Sequence, residues 1–115
     1  MTKINRILDE LESLKIRDIK LYNAEGKSIL ADYFILGTAD SAIQLEGVRT
    51  KLVDLLWKEY RASLKNPEEN WHGGWCLLDF SDIVIHIFLE ETRSFYHLDA
   101  LMENLTYTLE VQQTA

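Results

Sequence analysis

The residues best equipped for chemistry gather in one short stretch: Cys76, Asp79, Asp82 and His86. Carboxylates beside an imidazole can hold a divalent cation or move protons, and Asp32, Asp40 and Asp99 add carboxylates from elsewhere. The spacing argues for less. Asp79 and Asp82 flank a Phe80-Ser81 turn, where Asp is common because its side chain bonds the local backbone. Cys76 and His86, near-opposite across a hairpin, would supply only two of the four ligands that a structural zinc ion takes, and His72 and His97 add no paired spacing. Gly-x-Ser-x-Gly, Walker-type and Gly-x-Gly-x-x-Gly motifs are absent. No catalytic residue, metal site or cofactor is therefore assigned. His86 reads as a satisfied core histidine, and metal-dependent chemistry on Asp79, Asp82 and His86 is the lesser alternative.

The stretch that carries these residues is a hairpin. Trp75 to Phe80 and Ile83 to Leu89 are β-branched and aromatic runs joined through Ser81-Asp82, and Ile83, Val84, Ile85, Ile87 and Phe88 are apolar at both parities. A strand apolar on both faces is covered on both, so the hairpin is expected at the centre of the sheet. Upstream, Ile4, Ile7, Leu8, Leu11 and Leu14 repeat at helical spacing over residues 2–15, with Thr2 as N-cap. Alternation over Arg17 to Tyr22 predicts a first strand, and Tyr33 to Thr38 a second. Ser41-x-x-Gln44 is a capping-box pattern opening a helix that runs to about Leu64, with Leu45, Val48, Leu52, Leu55 and Leu56 as its buried stripe. Residues 65–74 form a polar loop in which Trp71 either covers the core edge or meets a partner. After the hairpin, Glu91 to Tyr96 and Leu98 to Met102 read as short helical turns. The predicted fold is α+β, a mixed β-sheet packed against helices, with one domain over residues 1–106 and a C-terminal tail over 107–115 that is expected to fray.

Charge narrows the function. A net charge of −7, from 12 basic and 19 acidic residues, opposes direct, sequence-specific nucleic-acid binding, which needs Lys and Arg to displace counterions. It suits a basic protein partner. With 47% hydrophobic residues and one proline the chain folds, yet no apolar run approaches the roughly 20 residues that span a bilayer. The lone Cys76 excludes an internal disulfide, and a cytoplasmic location is expected. A binding module remains, its candidate surface made of Trp75, Asp79, Asp82, Arg93 and Tyr96 with Trp71, Leu98 and Leu101. Aromatics and Arg supply contact area and directed bonds. The alternative for each residue is structural, with Trp75 and Tyr96 in the core and Arg93 paired to Asp79 or Asp82.

The Trp75-x-Leu77-Leu78-Asp79 run, Asp82 before Val84-Ile85-His86-Ile87-Phe88, then Arg93-x-Phe95-Tyr96-x-Leu98, resembles the ribosomal silencing factor (Iojap) family. Asp32 before the second strand and Ser41 at the helix start add to the likeness, which covers about residues 4 to 102. The resemblance implies a nucleotidyltransferase-like architecture, here without the catalytic acidic pair, since Gln44 to Lys51 holds no Asp-x-Asp or Glu-x-Glu. It also implies a non-catalytic repressor that binds the large ribosomal subunit through ribosomal protein L fourteen, blocks joining of the small subunit, and forms a homodimer. Trp75, Asp79, Asp82, His86, Arg93 and Tyr96 match the family pattern. A role in large-subunit assembly on the same surface is the alternative. The chain departs from the family at Ile43, where Arg is usual, at Ser81, where Gly is usual, and at Met102, where Trp is usual.

Overall fold

The computed structural model describes residues 2–26, 31–66, 74–97, 99–100 and 107–109. Helix α1 spans Thr2–Ser13, strands β1 and β2 span Arg17–Asn23 and Tyr33–Ala39, and the long helix α2 spans Ala42–Tyr60. Strands β3 (Trp75–Asp79) and β4 (Ile83–Leu89) follow, then α3 (Glu90–Tyr96) and β5 (Tyr107–Leu109). The sheet runs β3-β4-β2-β1-β5, antiparallel except for the parallel β2–β4 pair, so the fold is the mixed α+β arrangement expected. Its centre is not the hairpin. β2 is the middle strand and β3 lies at the margin, because the chain returns through α2 and lays β4 beside β2. β4 is buried on both faces as its composition requires, but its second neighbour is β2.

The two faces of the sheet have different partners. Ile35, Ile83, Ile85, Ile87, Cys76 and Leu78 point toward α1 and α2, meeting Ile7, Leu11, Leu45, Val48, Leu52 and Leu56 in the main core. The five α2 residues expected from helical spacing are the buried ones. Gly37 sits in β2 on this side, where a Cβ would come within 2.6 Å of the Ile16 Cγ2 methyl and 3.1 Å of Ile87. A side chain there overfills a packed layer. On the opposite face Tyr22, Phe34, Leu36, Val84 and Phe88 form a second cluster with Trp75 and Leu77.

The helix ends depart from the sequence reading. α1 already includes Thr2, so its cap position falls on Met1, outside the described residues. Ser41 Oγ accepts from the Gln44 amide at 3.2 Å, as a capping box requires. Gln44 then reaches one residue further back than expected, accepting from the Asp40 amide at 2.6 Å and donating to the Leu14 carbonyl at 2.7 Å, which ties the end of α1 to the start of α2. α2 stops at Tyr60 because Arg61 turns left-handed (φ 54°), so that its amide donates to the Trp57 carbonyl and the Ala62 amide to the Leu56 carbonyl, while the Arg61 guanidinium lies over the Trp57 ring at 5.4 Å. The tail also differs, since Tyr107–Leu109 pairs with β1.

Asn66 finishes the outer margin of β3. Its side chain donates to the Leu77 carbonyl and accepts from the Asp79 amide, both at 2.8 Å, while the Lys65 amide bonds the Asp79 carbonyl. The hairpin half of this edge is thus closed to strand addition. At the turn Ser81 has φ 80°, a conformation that costs an L residue roughly 1 kcal/mol, and Asp82 N–H donates to the Phe80 carbonyl across it. A glycine relieves that strain, less the extra freedom that it gives the unfolded chain. Ser81→Gly is expected to gain about 0.5 to 1 kcal/mol in urea unfolding; an unchanged or lowered midpoint would contradict this account.

Candidate functional site

β4 positions most of the candidate residues, and the sheet divides them. Because side chains alternate, His86 and Phe88 face the second cluster, while Cys76, whose partner in register is Ile87, points into the main core. Cys76 and His86 therefore stand on opposite faces and cannot share an ion. Burial, countered weakly by Arg49, pushes the Cys76 thiol up to about 12, so it is a packing residue. Among the described residues, no group of three or more His, Cys, Asp or Glu side chains converges as a metal site would.

His86 sits in an aromatic setting. The Trp75 indole N–H donates to its Nδ1 at 3.1 Å, the Phe88 ring lies nearly parallel at 5.9 Å, and Phe34 lies 6.4 Å away on β2. Trp75 in turn packs on Phe88 at 5.3 Å and is only half-buried. An accepting Nδ1 requires neutral imidazole with its proton on Nε2. Burial pushes His86 down to about 4, with the Asp79 carboxylate opposing. The expectation of a satisfied histidine holds, and its partner is the neighbouring tryptophan.

Asp79, opposite Val84, occupies the hairpin end of this face, while Asp82, in the turn itself, reaches toward α1. Asp79 Oδ1 accepts from the Ser81 amide at 2.8 Å, the local turn bond that its position suggested. Asp82 bonds Lys3 at 2.7 Å in a partly buried pair, and its carbonyl accepts from the Asp32 and Tyr33 amides where β2 begins. Asp79 and Asp82 keep carboxylate surface on one margin, together with exposed Asp32.

Arg93 lies at the other end, beyond the C-terminus of β4, so the candidate residues do not form one cluster. It pairs with neither Asp79 nor Asp82. Its Nε and Nη2 donate to Asp99 at 3.0 and 2.9 Å, and Nη1 donates to the Asp18 carbonyl at 2.8 Å and to Thr38 Oγ1 at 2.9 Å. Only 11% of the side chain is exposed. The fork thereby satisfies Thr38, the buried polar residue at the end of β2, and fixes α3 to the left-handed bulge at Asp18. Burial works against the Asp99 charge, but the Arg93 bonds and the nearby Lys20 hold its carboxyl below the usual range. Arg93 thus ties α3 to β1 and β2 beside the Phe88 end of the aromatic face. The Tyr96 side chain lies outside the described residues, as do Trp71, His72, Leu98, Leu101 and Met102. Sequence reasoning missed the roles of Asn66 and Thr38, which depend on contacts with other elements, and the pairing of Asp99 with Arg93, and it left open the exposure of Ile43 (82%) and Phe95 (74%).

These features define a class: an α+β module with a helix-covered face, an aromatic-histidine face and no assembled metal site among the described residues. The profile of the family described as "Ribosomal silencing factor during starvation" matches residues 1–114, and the chain belongs to that family. A Zymomonas mobilis protein named ribosomal silencing factor is 36% identical over 94 residues, covering 82% of this chain and 68% of its own. The mouse mitochondrial assembly of ribosomal large subunit protein 1 is 27% identical, covering 97% of this chain, which spans half of that protein. A crystal structure of a Chromobacterium violaceum protein superposes with a TM-score of 0.78 at 25% identity, covering 99% of this chain and 95% of its own. Among the described residues no helix is long and apolar enough to cross a membrane.

Two outcomes test this geometry. The unfolded-state histidine titrates near 6.5 and the folded one near 4, so the unfolded chain binds the extra proton as pH falls between them. The stability that neutral His86 preserves is complete above about pH 6.5 and falls by about 1 to 2 kcal/mol between pH 7 and 5. Urea titrations at pH 5, 6 and 7 should show that slope in the wild type and a flatter one in His86→Phe; equal slopes would refute it. Arg93→Lys keeps the charge but cannot reproduce the fork, and a loss of about 1.5 to 3 kcal/mol is expected in the same assay at pH 7.

Proposed function

We propose that this protein is a non-catalytic, cytoplasmic translational repressor. It binds the large ribosomal subunit at ribosomal protein L fourteen and occludes the surface that the small subunit must meet. The observation that carries the reading is the half-buried Trp75 on the aromatic face, inside a chain of the silencing-factor family. An aromatic side chain with an ordered ring supplies contact area at low entropic cost, and Asp79 and Asp82 at the rim steer toward a basic protein. Tyr96 is assigned to the same contact from the family pattern, and Leu98 and Leu101 as apolar contact area, with Arg93 and His86 supporting it. The contact is to protein, consistent with a charge of −7. Occlusion needs no reaction, and the separation of Cys76 from His86 fits that economy. A homodimer is part of the proposal, and Asn66 directs it away from the hairpin half of the β3 edge.

The mouse relative, named for assembly of the mitochondrial large ribosomal subunit, favours a second reading in which the same face serves large-subunit maturation. Co-sedimentation with separated subunits, followed by a joining assay on the same samples, separates the two. Repression requires binding to large subunits alone with fewer joined ribosomes, and Trp75→Ala, checked by circular dichroism, should weaken binding at least about tenfold. Binding with unimpaired joining would select assembly, and no binding to either subunit would sink both.

A further inference from the structure

We infer that His86 is the positioning residue of the aromatic face, its Nδ1 holding the Trp75 indole in the orientation that a protein partner meets. The inference rests on the functional reading just given and adds a role within the same surface. Trp75 opens a marginal strand, where a large ring is free to change rotamer unless something fixes it. The indole N–H is held by Nδ1 at 3.1 Å, and the acceptor is itself held, lying flat against Phe88 at 5.9 Å with an interplanar angle of 6°. Phe34 lies against it from β2. A ring fixed in this way loses less rotational freedom on binding than a mobile one.

A phenylalanine at position 86 would stack equally well without burying a polar ring, so packing alone does not call for histidine. The acceptor nitrogen is what histidine adds. Its register neighbours are Leu36 on β2 and Leu77 on β3, and Asp79 on β3 is the one charged group, among the described residues, whose field acts on it. That setting keeps the imidazole neutral throughout the physiological range. The bond is therefore a permanent support and not a switch.

The test pairs two variants with two readouts. His86→Phe keeps the stacking ring and removes the acceptor; His86→Asn removes the ring and places an amide oxygen near the former Nδ1. The Trp75 indole N–H resonance, assigned by its loss in Trp75→Phe, is followed by NMR, and large-subunit affinity by co-sedimentation. His86→Phe is expected to remain folded, shift the indole resonance upfield and weaken binding about three- to tenfold. His86→Asn should keep the resonance near its wild-type position and bind within about twofold of wild type. Wild-type affinity with an unmoved resonance in His86→Phe would overturn the inference, as would equal losses in both variants. If His86→Phe does not fold, acid titration of the wild type decides instead: the indole resonance must move with His86 protonation, and independence of the two overturns the bond. Failure of the wild type to bind large subunits would remove the functional reading, while the indole resonance would still uphold or refute the positioning.

Discussion

The parallel pairing of β2 with β4 is the constraint on which the other arrangements depend. Seven residues of each strand lie in register, from Tyr33 beside Ile83 to Ala39 beside Leu89. Parallel neighbours cannot be joined by a tight turn, so the chain must leave the sheet between them, and α2 is that excursion. Its apolar stripe then covers one face of the strands that it connects. The same pairing brings the starts of α2 and α3 to one end of the sheet and the β3–β4 turn to the other. Arg93 and Asp82 are therefore far apart although only a strand and part of a short helix separate them in sequence.

That separation sorts the family-matching residues by role. Asp79 stabilises its own turn, Asp82 receives the start of β2, and Arg93 fastens α3 to β1 and β2, so each serves the scaffold at a different junction. Trp75 and His86 alone among the described matches join side chain to side chain on the aromatic face. A sequence pattern shared by a family thus mixes groups that stay at the surface with groups that hold the scaffold together. Substituting either kind can abolish binding, and only a readout of local structure distinguishes them.

Much of the scaffold was legible because local periodicity and burial coincide. The α2 stripe, the doubly apolar β4 and the alternation of β1 depend on the period of the element and on which side of it lies water. Strand order depended on pairing energy between distant segments, which leaves no trace in a local pattern; hence the hairpin was placed at the centre and β5 was read as tail. The end of α2 was missed for a related reason. Arg61 carries no glycine-like signal, and its left-handed turn is supported by the Trp57 ring. Of the site, His86 as a satisfied histidine was readable from its place in an apolar strand, whereas the Arg93 partner was not. Asp79 and Asp82 lie at the far end of β4, and Asp99, six residues beyond Arg93, takes the fork instead.

The departure at Ser81 shows how a family difference can be weighed physically. A position with φ 80° favours glycine for its backbone and for nothing that a side chain could do there. Serine at that position leaves the turn intact, with the Asp79 carboxylate holding the Ser81 amide at 2.8 Å, so the cost falls on stability while the Asp79 and Asp82 margin keeps its shape. Ile43 is the contrasting case. It is 82% exposed on the first turn of α2, where the backbone makes no demand that isoleucine or arginine fails to meet. Replacing a cation by an apolar surface there changes only what the helix start presents outward. Of the two departures, Ser81 acts on the fold and Ile43 only on the exposed surface of α2.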